Sequence, residues 1–143
     1  MDRRSVLMMG LAGAAGASGV LVAPRGVHAA GKPEALSSPM AGGLYYTKQK
    51  PGRWAKKAGG HVPRVELEGG KVRVLTPHPM NGFKHYIVKH VILDEKFQYI
   101  SETLFDPATD KPKSEYDAGR LNGDVYAVSM CNLHDLWLSA IRV

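Results

Sequence analysis

The sequence predicts an all-β fold, an antiparallel β-sandwich, and three observations predict it. No stretch between residues 61 and 130 keeps a helical period. That region breaks instead into short runs rich in β-branched and aromatic side chains. Turn chemistry separates the runs at regular intervals, the pattern of two packed antiparallel sheets.

Taken in order, "VPRVELEGGKVRVLT" is two alternating runs around Gly69-Gly70, a tight hairpin. "HYIVKHVIL" and "FQYISETL" are two further strands, with "DEK" turning one into the other. "DPATDKPK" is a polar loop with two prolines, and "DVYAVSM" is a strand entered from the turn-like "LNGD". Residues 30–60, rich in Gly, Pro and Lys, read as an extended arm and loop, and residues 61–143 as the sandwich domain.

The segment 1–29 reads differently. Paired Arg3 and Arg4 precede a Gly/Ala-rich uncharged stretch that ends near Pro24 and Arg25, followed by the small-residue pattern "VHA". This is the composition of an export signal of the twin-arginine type, which implies a periplasmic protein exported after folding. Without it, 16 basic and 12 acidic residues leave a net charge of +4. That charge is too modest and too dispersed for nucleic acid, but it would attract a small anion.

Six histidines and one cysteine carry the chemical signal. His28 falls in the signal segment, and His61, His78 and His85 stand beside turns in "GGHVP", "TPHPM" and "FKHYI". Strand alternation points His85 and His90 to opposite faces, so His90 is read as an ordinary surface or core histidine. Loops converge at the ends of a sandwich, which lets His61, His78, His85 and His134 meet. In "CNLH" the only cysteine, Cys131, lies three residues from His134, so one short segment offers both sulfur and nitrogen. Four imidazoles and a thiolate suit iron, copper or zinc. A single cysteine cannot form an internal disulfide, and a free thiol in an oxidising compartment needs burial or a metal.

"HVP", then "HPM" followed by "HYI", then "CNLHDLW", in that order over residues 59–138, resembles the iron domain of the superoxide reductases, the neelaredoxin and desulfoferrodoxin family. The resemblance implies an immunoglobulin-like sandwich of about seven strands and one iron per chain. It implies His61, His78, His85 and His134 as equatorial ligands and Cys131 as the axial thiolate. It also implies one-electron reduction of superoxide to hydrogen peroxide, re-reduction by an unidentified donor, and a homo-oligomer. The second iron module of some members needs four more cysteines, so this is the single-iron type. Asn132 is expected to organise the loop and Trp137 to sit in the core.

Two departures stand out. The family's usual Glu-Lys before "HVP" is Gly59-Gly60 here, which leaves Lys56 and Lys57 as the nearest cations to steer superoxide. His78 and His85 are also seven apart, one more than the usual spacing, with Asn81-Gly82 to absorb the extra residue. The Gly59-Gly60 replacement leaves room for a second reading, an iron-binding redox carrier or sensor of the same fold. A cupredoxin-like copper site would want a methionine after His134, where the sequence is "DLWLSAIRV".

Overall fold

The computed structural model describes residues 32–143. The export signal assigned to residues 1–29 lies outside them. Seven strands form two antiparallel sheets, in agreement with the all-β sandwich. The three-stranded sheet orders β1 (Arg64–Glu68), β2 (Lys71–Leu75) and β5 (Lys113–Asp117) side by side. The four-stranded sheet has the order β4-β3-β6-β7, from β3 (Ile87–Leu93), β4 (Tyr99–Leu104), β6 (Asp124–Cys131) and β7 (Asp135–Arg142).

The hairpin read around Gly69-Gly70 is present, and both glycines take positive φ, 59° and 73°, as a two-residue turn of this hand requires. Alternation along β2 buries Val72 and Val74, which meet Ile92, Val125, Ala127 and Tyr116 between the sheets. β5 is the strand the composition hides. Its sequence KSEYD is polar, yet Ser114 and Tyr116 alternate inward while Lys113, Glu115 and Asp117 stay in water.

The segment expected to be an extended arm has more structure than that. It carries helix α1 (Glu34–Ser37), a 3₁₀ segment over Gly52–Lys57, and helix α2 (Ala58–His61). Its apolar residues explain the difference. Ala35 and Tyr45 pack with Tyr126 and Leu138 on the outer face of the four-stranded sheet, while Tyr46 is buried against Trp137. The Tyr46 N–H donates to the Leu136 carbonyl and the Leu138 N–H to the Tyr46 carbonyl, extending the sheet beyond β7. Because His61 closes α2, the arm runs into the sandwich without a break at residue 61.

Between the sheets lies a polar chain. His90, fully buried on β3, has Nδ1 2.8 Å from Ser114 Oγ and Nε2 2.9 Å from Thr76 Oγ1. Thr76 Oγ1 is in turn 2.7 Å from Ser129 Oγ, and the Phe105 ring closes over the imidazole edge to face at 4.9 Å. A buried polar group costs little only when its partners are met, and here both ring nitrogens have one. The expected opposition of His85 and His90 arises otherwise than by alternation. His85 precedes β3, and the strand carries an irregularity between Ile87 and Lys89.

Burial pushes the His90 imidazole down from 6.5 to about 4. The unfolded chain protonates this ring near 6.5 and the folded chain only near 4. Stability from this group is therefore full above that window and declines as pH falls through it, by up to about 3 kcal/mol. Urea unfolding of metal-free protein at pH of about 7.5 and about 4.5 checks this. The loss between the two is expected to be smaller in His90→Phe than in the unaltered chain.

Candidate metal centre

Five side chains from four separate segments meet at one end of the sandwich. His61 ends α2, and His78 lies in the extended stretch after β2, between two prolines. His85 follows a 3₁₀ turn at Gly82–Lys84, Cys131 is the last residue of β6, and His134 sits in the turn before β7. Their donor atoms all lie within 4.8 Å of one another, and all but His85 are buried. The structure thus brings together every histidine and the cysteine singled out as candidate ligands, and leaves His90 apart.

Backbone and side-chain contacts set each position. Gly82, at φ 56°, makes the turn that takes up the extra residue between His78 and His85, and the Asn81 N–H donates to the His85 carbonyl across it. Asn132 Oδ1 accepts from the Tyr86 N–H, while its Nδ2 donates to the Phe83 and Lys84 carbonyls. That one side chain ties the cysteine loop to the His85 loop. Its contact with the sulfur is only a marginal one at 4.0 Å. Trp137, fully buried, donates Nε1–H to the His134 carbonyl at 2.8 Å and packs in a tilted arrangement 5.7 Å from the His61 ring.

The nitrogens describe a recognisable figure. His61 Nε2 is 3.0 Å from His134 Nδ1, which is 3.1 Å from His85 Nε2, which is 3.0 Å from His78 Nε2. These three spacings are those of neighbouring ligands around one ion: four nitrogens set about 3.0 Å apart at the corners of a square would each lie about 2.1 Å from its centre, an ordinary metal–imidazole distance. Cys131 Sγ stands 3.5 Å from His134 Nδ1. Hydrogen bonding alone does not account for this packing, since His134 Nδ1 can share only one proton among three close neighbours. His61 Nδ1 must donate to the Lys57 carbonyl at 2.9 Å, which leaves its Nε2 as a bare lone pair facing the cluster. His78 Nδ1 is buried without a hydrogen-bond partner, with only the Pro79 backbone close enough to favour its proton.

Charge argues the same way. Burial, then the neighbouring imidazoles, push His61 down to about 4. Burial lowers His78 and His134 as well, and the His85 ring adds to each. Neutral imidazole is the form that ligates a metal, so the residues fit a transition-metal ion.

The two lysines separate here. Both side chains are exposed, and the Lys57 charge, after burial and the His85 ring, adds to the lowering of His78 and His134. Gly59 has open space where a Cβ would stand, and a Cβ on Gly60 would meet only the Pro77 carbonyl at an ordinary 3.6 Å. Trp54 was not anticipated. Its ring packs edge to face on His134 at 4.7 Å, and its Nε1–H donates to Asp135 Oδ2 at 2.8 Å, an oxygen shared with the Arg53 guanidinium at 2.5 Å. A lone tryptophan in a Gly-, Pro- and Lys-rich segment was the available signal, because so large an aromatic group seldom goes unburied.

The fold and site define a class: an antiparallel sandwich presenting four imidazoles and a thiol at one end. Among solved structures, this chain resembles the superoxide reductases of the neelaredoxin type. It is 28% identical to the superoxide reductase (neelaredoxin) of Ignicoccus hospitalis, covering 70% of this chain and 94% of that one, with a TM-score of 0.56. A variant of the same protein matches at 27% identity over 70% and 93%, with a TM-score of 0.63. The Giardia intestinalis superoxide reductase (1Fe-SOR) shares the fold, at 23% identity over 59% and 98% and a TM-score of 0.51. No family model and no curated protein matches the sequence.

Because neither glycine has a positive φ or a crowded Cβ, Gly59→Glu and Gly60→Lys are expected to fold normally. Removing glycine from α2 is expected to raise stability by about 0.4–1 kcal/mol each, read from thermal or urea midpoints.

Proposed function

We propose that this chain is a superoxide reductase carrying one iron, held by His61, His78, His85, His134 and Cys131. The observation that carries the reading is the run of ring nitrogens at 3.0, 3.1 and 3.0 Å with the buried Cys131 sulfur beside them. Iron held by these five residues would supply the one electron that, with two protons from solvent, turns superoxide into hydrogen peroxide, and the Cys131 thiolate would donate charge to it. The chain's own contribution is arrangement. The Lys57 carbonyl fixes the His61 tautomer, Asn132 and Trp137 hold the cysteine loop, and Trp54 walls the His134 side. The Lys57 ammonium, beside the cluster, attracts the anionic substrate in place of the lysine that Gly60 lacks. A separate one-electron reductant would be needed for a second turnover.

A second reading is favoured by one observation. With Gly59-Gly60 no carboxylate or ammonium stands immediately before His61, which suits a redox carrier or sensor of the same fold. Rapid mixing of the reduced, iron-loaded protein with superoxide separates the two. Fast, stoichiometric iron oxidation with peroxide formed is expected. Oxidation no faster than air or peroxide achieves would favour the carrier, and failure to take up iron would overturn the ligand set.

Lys57→Ala is expected to slow the superoxide reaction by about tenfold at low ionic strength and flatten its salt dependence. Lys56→Ala is expected to do much less, and equal effects would remove the special place given to Lys57. We also propose export through the twin-arginine route and, from the exposed Tyr99, Ile100 and Leu104 on edge strand β4, self-association. Cell fractionation and sedimentation test these two points.

A further inference from the structure

His90 is the most deeply buried of the described histidines and touches none of the five clustered donors. Its partners nonetheless stand directly behind two of them. Thr76, which meets His90 Nε2, is two residues before His78, and the His78 N–H donates to the Thr76 carbonyl at 2.8 Å. Ser129, which meets Thr76, is two residues before Cys131 and pairs with His90 across β3 and β6. Ser114 anchors the other ring nitrogen to β5. The chain Ser114–His90–Thr76–Ser129 therefore joins the two sheets at the level from which the His78 and Cys131 segments leave them.

A purely apolar contact would also hold the sheets together, but it would not fix their offset. Apolar contacts carry no preferred direction, whereas a shared hydroxyl at 2.7 and 2.9 Å sets both distances and directions. His78 follows β2 of one sheet while Cys131 ends β6 of the other, and no hydrogen bond joins their side chains to each other. We propose that His90 is a positioning residue for the metal centre, holding the His78 stretch and the Cys131 strand in register through Thr76 and Ser129. This rests on the metal-binding reading above, so the test includes a measurement that needs no metal.

Three variants separate positioning from bulk packing. Gln at residue 90 places an amide where Nε2 stands and keeps the Thr76 contact, while Asn places one where Nδ1 stands and keeps only Ser114. Ser129→Ala removes one hydroxyl and guards against a variant at residue 90 that fails to fold. In metal-free protein, amide exchange at His78 and Asn132 is expected to quicken in His90→Asn and Ser129→Ala while His90→Gln stays close to the unaltered chain. In the iron-loaded protein, release to a chelator is expected to quicken roughly 10- to 100-fold in the same two variants, with a changed thiolate-to-iron absorption band. Equal behaviour of His90→Asn and His90→Gln, or an unaltered exchange rate in Ser129→Ala, would overturn the proposal. A chain that takes up no iron but shows the exchange pattern would overturn the ligand assignment and leave the positioning role standing.

Discussion

The structure is organised around the crowding of lone pairs. Four ring nitrogens and a sulfur lie within 4.8 Å of one another, drawn from a helix end, an extended stretch, a turn and a strand hairpin. No single element could supply such a set. Each donor has to be delivered by backbone whose direction is fixed elsewhere, and the unusual local features of this end of the sandwich do that. Gly82 and Asp135 take positive φ beside His85 and His134, Asn132 spends its side chain on three backbone groups, and Trp137 grips the His134 carbonyl from inside the core. Asp135 at φ 62° is a non-glycine residue in a strained region, held by its bonds to Trp54 and Arg53.

Burial and charge work together at this end. Neutral imidazoles are cheaper to bury than imidazolium ions, and their crowding makes a proton on any one of them unwelcome. A cation that binds lone pairs without a proton relieves that crowding, so the folded chain favours metal over acid. The apolar clusters around Val72 and Ile92 and around Tyr126 and Leu138 contain none of the five donors, whereas Cys131 also packs with Ile87 and Phe105.

Much of this was legible in the residues. Hairpin glycines, alternating runs and the ordered histidine motifs led to the sandwich and to the five clustered side chains, because period and spacing are local properties of a chain. What the sequence concealed is non-local. β5 is polar by composition and becomes a strand only because β2 offers it an edge. The arm from residue 32 to 60 gains its helices and its place beside β7 from contacts with Tyr126 and Trp137, distant in sequence. His90 looked ordinary because nothing in its neighbours along the chain names Thr76, Ser114 or Ser129 as partners. Trp54 was missed for the same reason, since its partner Asp135 is far along the chain.

The chain has two tryptophans, and both touch rings of the cluster: Trp54 lies 4.7 Å from His134 and Trp137 5.7 Å from His61. No indole elsewhere dilutes their emission. A bound open-shell metal would quench both at contact range, and a closed-shell one would leave them bright. The protein's native fluorescence would therefore read out which kind of ion binds there, with no label attached, and the indole inside the core and the one in the 3₁₀ segment Gly52–Lys57 would respond differently to anything that moves that segment alone.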